Sequence, residues 1–311
     1  MNLLVTGGLG HIGSKLIRDF AKREEIDLIR IFDNLSTQRY YSLFNLPKYK
    51  RYQFIEGDIN DKNALKSVLQ DIDVVLHLAA ITDAPATISK PEITHKVNFE
   101  GTENVLNASI KADVKIFLFP STTSVYGEAE GQIDERYDNY KPSSPYAESK
   151  LAAEKIVQNA FTEHGLHTLV LRMGTIFGRS IGMRFHTAVN KFIYLACMKK
   201  PLTVWEHALN QKRPYLWLND AIRAFEFIEK NGKVGELYNA VTQNYTLQDI
   251  IDAIKAFIPD VKISITKSPI PNQKSYVVSN KKILDLGFSF DDSLSESIRE
   301  TVELFDAIKN D

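Results

Sequence analysis

Cysteine is all but missing from this chain of 311 residues: Cys197 stands alone, which excludes an internal disulfide and a zinc site built from cysteines. It lies in the apolar run KFIYLACMKK and reads as a packing residue. Net charge is missing too. Lys and Arg number 38 against 39 Asp and Glu, a formal balance of −1, so no general field draws the chain to nucleic acid or to an anionic membrane. An anionic ligand must therefore be held by local devices, such as a helix N-terminus or a placed arginine. No stretch approaches the ~20 apolar residues of a membrane span. The opening MNLLVTGG lacks the basic-then-apolar build of a secretion signal. The histidines are scattered without metal-ligand spacing, so no metal site is expected. Internal repeats, low-complexity tracts and flexible linkers are absent as well. What remains is an ordinary folded protein, 44% hydrophobic and 25% charged, expected in a reducing cytoplasm.

Short apolar runs alternate with helical patterns through the first half. Strands are expected at 2–6, 27–32, 52–56, 74–78, 115–120 and 168–172, and helices at 12–23, 61–69, 98–108 and 146–163. Runs such as DVVLHLAA and KIFLFPS are apolar on consecutive positions, as strands buried on both faces require. The pattern predicts an α/β fold, a doubly wound parallel sheet of the Rossmann type, over 1–174. After Gly174 the rhythm changes to a loop-rich GRSIGMRFHTAVN, a helix, the runs PLTVW and RPYLWL, a helix at 220–230, a strand at 236–240 and a helix at 246–257. This predicts a smaller mixed α/β substrate-binding lobe, mainly 175–311, with a segment near 213–243 returning to the first domain. Ligands favour the cleft between two such lobes.

The first strand runs straight into GGLGHIG, with Gly7, Gly10 and Gly13 spaced G-x-x-G-x-x-G. Glycine permits positive φ and lets backbone approach a ligand without a Cβ in the way. The helix that starts there offers unpaired N–H groups and the positive end of its dipole to a pyrophosphate. Asp33 ends the second strand, 20 residues after Gly13, where a carboxylate accepts ribose hydroxyls and repels a 2′-phosphate. That favours NAD over NADP, with Arg39 on a solvated loop beyond. Asp58, after the third strand, is well placed to meet the adenine edge; an ordinary turn or N-cap aspartate is the competing view.

The segment SPYAESKLAAEK puts Tyr146 and Lys150 four apart, on one face of a helix. A tyrosine acting as a base near neutrality must have its pKa lowered from about 10 by roughly three, about 4 kcal/mol in favour of the phenolate. The Lys150 ammonium and an oxidised nicotinamide are sources of that stabilisation. On its own such a pair also occurs on solvated helix faces. Here it follows the strand end STTSVYG, whose Thr122 hydroxyl is positioned to bond the same substrate oxygen that Tyr146 deprotonates.

With TGGLGHIGS, DNLS, GDI, HLAA, STTSVYG, PYAESK, LRMGTIFG and QKRPYLWLNDAIRA in order, nearly the whole chain resembles an extended short-chain dehydrogenase/reductase of the NAD-dependent sugar epimerase/dehydratase group. The resemblance implies NAD held by Gly7, Gly10, His11, Ile12, Gly13, Asp33, Asn34, Asp58, Ile59, the Leu78-Ala79-Ala80 turn and Asn98, with Tyr146 and Lys150 beside it. It implies catalysis by Thr122, Tyr146 and Lys150, a nucleotide-sugar substrate, and a homodimer built from two helices per subunit. Thr123, Thr175, Asn190 and Arg213 become the expected substrate contacts. Arg213 is the candidate for the diphosphate, since a guanidinium fork engages phosphate oxygens bidentately.

Relatives that eliminate water or decarboxylate a sugar acid resemble one another in an acidic residue before Val-Tyr-Gly. Here the positions are Thr122, Thr123 and Ser124. Elimination needs a general acid for the departing hydroxyl and a base for the adjacent carbon. The expectation is therefore an epimerase, acting at carbon 4 through a transient keto sugar. The alternatives are a nucleotide-sugar reductase or dehydrogenase, a dehydratase or decarboxylase, and a non-catalytic NAD-binding protein. Gly174 is expected to open space beside the nicotinamide, Lys274 to serve as a weaker second phosphate clamp, and His186 either to touch ligand or to be structural.

Overall fold

The computed structural model describes residues 1–266, 276–291 and 294–308. Consecutive apolar residues in the first strand, β1 (Asn2–Thr6), serve two cores at once. Leu3 and Val5 enter one with Leu16, Ile17, Ile29 and Phe225, whereas Leu4 enters the other with Phe32, Val75, Phe117 and Val157. Side chains alternate across a strand, so a sheet covered on both faces needs an apolar residue at every position.

Next come α1 (His11–Asp19), β2 (Leu28–Asp33), β3 (Arg51–Glu56), α2 (Lys62–Val68) and β4 (Val74–His77). Two short helices, α3 (Ala84–Thr87) and α4 (Pro91–His95), lead through a π-helical turn (Lys96–Glu100) into α5 (Gly101–Lys111). β5 (Ile116–Thr122), β6 (Gly131–Ile133), α6 (Pro145–His164) and β7 (His167–Met173) close the first half. The second half carries β8 (Thr175–Phe177), α7 (Ala188–Cys197), β9 (Leu202–Trp205), β10 (Arg213–Trp217), α8 (Leu218–Asn231) and β11 (Leu237–Ala240). It ends with β12 (Gln243–Tyr245), α9 (Leu247–Lys255), β13 (Ile263–Thr266), β14 (Tyr276–Val278), α10 (Lys281–Asp285) and α11 (Leu294–Val302).

Among the described residues, seven parallel strands form the main sheet in the order β3-β2-β1-β4-β5-β7-β11. This is the expected doubly wound fold. The chain winds outward in opposite directions from β1 and β4, which opens a crevice beyond their carboxyl ends. β11 returns from the second half to take the edge beside β7. The remaining short strands build β12-β10-β8, β13-β9 and β14-β6. Beside them α7, α9 and α11 share a separate core that includes Phe177, Ile193, Trp217, Ile250, Ile254 and Ile298.

Two helices differ from expectation. The helix read over 12–23 is α-helical only to Asp19 and then tightens into a 3-10 turn at Phe20–Lys22. The helix read over 98–108 starts as the π-helical turn, and α3 and α4 before it went unread. The strands β6, β8, β12, β13 and β14 have three or four residues each, too few for a pattern of alternation to register.

Candidate active site

At the crevice, glycine is demanded by contact. Gly7 sits at φ +64, and a Cβ there would lie 2.6 Å from the Ala79 nitrogen; one on Gly13 would lie 2.6 Å from the Gly8 Cα. The turn thus brings β1 and α1 against the end of β4. Onto one cleft the fold gathers Gly7, Gly10, His11, Ile12, Gly13, Asp33, Asn34, Asp58, Ile59 and the Leu78-Ala79-Ala80 turn. Asp33 accepts hydrogen bonds from the backbone N–H of Leu9 (3.1 Å) and of Leu35 (2.9 Å), which pins its carboxylate beside the turn. Burial pushes the Asp58 carboxyl up. Hydrogen bonds from the Asn60 backbone and from the Asn34 and Asn60 side chains outweigh burial and leave it below its ordinary value. His11 is buried, with Nδ1 on the Ser180 hydroxyl (3.0 Å) and Nε2 sealed without a partner. Burial, with Arg184 and Arg39 adding to it, holds this ring well below the ordinary histidine pKa.

Asn98 is not on the cleft wall. It is fully buried, its Oδ1 accepting from Ile81 N (2.8 Å) and its Nδ2 donating to Ile81 O (2.9 Å) and Ser149 Oγ (3.1 Å). The expected cofactor contact becomes a brace behind the 78–81 turn.

Tyr146 owes its place to the start of α6. The Ser144 side chain caps the helix by accepting from Ala147 N (3.2 Å), and Pro145 occupies the first turn, where a missing N–H costs nothing. The ring lines a second cavity, contiguous with the cleft, together with Thr122, Thr123, Ser124, Lys150 and Thr175. Burial raises the phenol above the ordinary tyrosine value, while the Arg184 guanidinium and a hydrogen bond with Thr122 work against that rise. Lys150 shares the cavity wall, but its ammonium donates to the Pro120 carbonyl (2.8 Å) and lies 4.5 Å over the Phe119 ring. Burial draws the Lys150 pKa down to about 7, and Glu154 opposes the fall. The cation that bears on the phenol here is Arg184, where the spacing alone pointed to Lys150. Below them Glu154 takes a fork from Arg172 (2.6 and 2.9 Å) and a short hydrogen bond from Ser121.

Residues 3–240 match the sequence profile of the NAD dependent epimerase/dehydratase family, more than half of the chain. The chain belongs to this family. It is an NAD-dependent enzyme. The human dTDP-D-glucose 4,6-dehydratase is 30% identical, with 97% of this chain and 89% of that protein covered. The Thermotoga maritima UDP-glucose 4-epimerase, solved with UDP-glucose, superposes with a TM-score of 0.89 at 25% identity over 98% of each chain. The Bacillus cereus UDP-glucuronic acid 4-epimerase, solved with NAD, gives 0.86 at 26% identity over 98% of each chain. The residues of this family member fit the dinucleotide: a turn that tolerates no Cβ, a helix N-terminus with a sealed, unpartnered His11 Nε2, and a carboxylate 20 residues on.

On the sugar side the enzyme departs from several expectations. Asn190 is fully buried, its Oδ1 accepting from Gly178 N (3.0 Å) and its Nδ2 donating to Arg184 O (3.2 Å), so it shapes a loop and does not line the cavity. Arg213 opens β10 and lies over the Tyr276 ring at 5.2 Å, outside the cavity wall that holds Tyr146. The Tyr276 hydroxyl in turn bonds the Thr123 side chain. Gly174 lines the cavity, but a Cβ there would come within 3.0 Å of the Pro214 backbone, so its smallness serves the approach of β10. His186 is on the rim, and Lys274 lies outside the described residues. Sequence reasoning missed Arg184, which lines both the cleft and the cavity, and Tyr276. The sole hint of Arg184 was a cation inside a segment of small and apolar residues.

Proposed function

We propose that this enzyme is a nucleotide-sugar epimerase, inverting carbon 4 through a transient keto sugar with Tyr146 as the proton-transfer group. The observation that carries the reading is the wall around Tyr146. The segment after Ser121 presents hydroxyls there, Thr122, Thr123 and Ser124, and no Asp or Glu lines the wall among the described residues. Elimination of water needs a general acid and a second base, the roles for which an acidic residue at those positions is suited, whereas epimerisation needs one proton acceptor that later returns the proton. Relatives named as dehydratases are as close in sequence as those named epimerases, so the cavity chemistry and not overall likeness supports the choice.

Bound NAD supplies the acceptor and later the donor of the two electrons. The protein supplies the rest. The Tyr146 phenolate takes a ring hydroxyl proton, and Thr122, on the same cavity wall, orients that hydroxyl. Lys150, held against the Pro120 carbonyl, fixes the end of β5 where Thr122 sits. Small side chains at Ala80, Ala84, Ser124 and Thr175 leave room for the oxidised sugar to turn and present its other face.

Incubation with UDP-, GDP-, CDP- and dTDP-hexoses, followed by proton NMR, tests the reading. An equilibrium mixture of two epimers without added cofactor is expected. A 4-keto-6-deoxy product would show dehydration instead, and steady consumption of NADH would show a reductase.

A further inference from the structure

Among the described residues Arg184 forms no ion pair. Its Nη1 donates to the Thr82 hydroxyl, and its Nε is sealed from solvent without a partner. Burial disfavours its charge and Arg39 opposes it, while Tyr146 and the Asp83 carboxylate act in its favour without outweighing burial. That Asp83 caps α3 by accepting from Ala86 N (3.2 Å). Arg184 and Arg39 both press on His11 at the first turn of α1. A guanidinium whose Nε is sealed and unpartnered, on the wall of an open cleft beside Arg39, is suited to an anionic ligand in that cleft.

The segment carrying it is fastened to the glycine-rich turn. The Ser180 hydroxyl meets His11 Nδ1 (3.0 Å), and Gly182 N donates to Ser14 Oγ (2.9 Å). Gly182 packs so closely that a Cβ would fall 2.6 Å from both the Leu9 and the Gly10 carbonyl oxygens. On the other side the Asn190 amide holds the Arg184 carbonyl, and the Phe185 ring packs on Tyr194 at 5.4 Å. Anchored from both halves, this strap crosses the cleft at the N-terminus of α1 and aims Arg184 into it.

We propose that Arg184 is the counter-ion of the dinucleotide diphosphate and that the Ser180–Arg184 strap retains the cofactor. Backbone N–H groups of α1 meet the diphosphate from one side. The guanidinium meets it from the other, satisfying Nε with a charge-assisted hydrogen bond. The cofactor then leaves only when the strap lifts. The inference rests on NAD binding alone and holds whichever reaction the enzyme runs.

The test is binding, not turnover. Cofactor-stripped enzyme is titrated calorimetrically with NAD, ADP-ribose and UDP, and NAD dissociation is timed by displacement with excess ADP-ribose. Arg184→Gln should weaken NAD and ADP-ribose about tenfold to a hundredfold, the worth of a charge-assisted contact, and leave UDP within about twofold. Arg184→Lys should recover part of the loss. Gly182→Ala, which keeps the charge but wedges the strap off the turn, should speed NAD release; it also serves should Arg184→Gln fail to fold. Unchanged NAD and ADP-ribose affinity in Arg184→Gln, with or without weakened UDP binding, overturns the proposal, as does unchanged NAD release from Gly182→Ala.

Discussion

At Tyr146 opposing influences meet on one oxygen. Burial favours the neutral phenol, and Arg184 together with the Thr122 hydrogen bond favours the phenolate. Removing the oxygen removes the base and little else, because the ring still fills its place on the cavity wall. Tyr146→Phe should therefore bind NAD as the wild type does and lose turnover at least about a hundredfold. Paired measurements of NAD affinity and kcat check this, and near-normal kcat would take Tyr146 out of the mechanism. The Tyr146–Lys150 pair was legible at this scale because a spacing of four is a property of any helix. That Lys150 would donate to Pro120 was not legible, since that carbonyl lies 30 residues away.

One element, α6, carries the Tyr146 phenol, Lys150 and the acidic member of a buried ion pair. Its buried stripe of Ala147, Lys150, Ala153, Glu154, Val157 and Ala160 follows helical spacing and faces β5 and β7. Glu154 and Arg172 are both almost fully buried and joined by two hydrogen bonds, tying α6 to β7. Such a pair adds little net stability over an apolar substitute, but breaking it strands a charge. Arg172→Met should cost about 3–5 kcal/mol in urea unfolding, and Glu154→Gln introduced with it should return much of that loss. A cost below about 1 kcal/mol for the single change would mean that water or another group reaches Glu154. Because Ser121 also donates to Glu154, the disturbance should extend to the strand end that carries Thr122.

Across the whole molecule the dinucleotide cleft lies where the two halves meet, and contacts from both sides close on it. Ser14 and His11 reach the 180–182 strap at the cleft, and beyond the far end of α1 Arg23 pairs with Glu229 of α8 at 2.6 Å. A ligand that binds the folded cleft and not the unfolded chain must stabilise both halves together. NAD at a hundred times its dissociation constant should contribute about 2.7 kcal/mol. In a chain of this length that raises the melting midpoint by roughly 5 °C. NADP, whose 2′-phosphate would face Asp33, should give a clearly smaller shift in the same thermal scan; an equal shift would remove Asp33 as the selector.

Local sequence determined the parts whose physics is local. Consecutive apolar runs dictated two-sided strands, glycines at Gly7 and Gly13 dictated a turn without Cβ atoms, and the Ser144-Pro145 start placed Tyr146 in the first turn of its helix. Tertiary structure alone decided what depends on distant chain segments meeting. Asn98 became a brace and Asn190 a loop tie, because buried amides must satisfy their hydrogen bonds with whatever backbone the fold brings near. Arg184 reached the cleft because the chain returns across a turn some 170 positions earlier, and no periodicity or motif encodes that encounter.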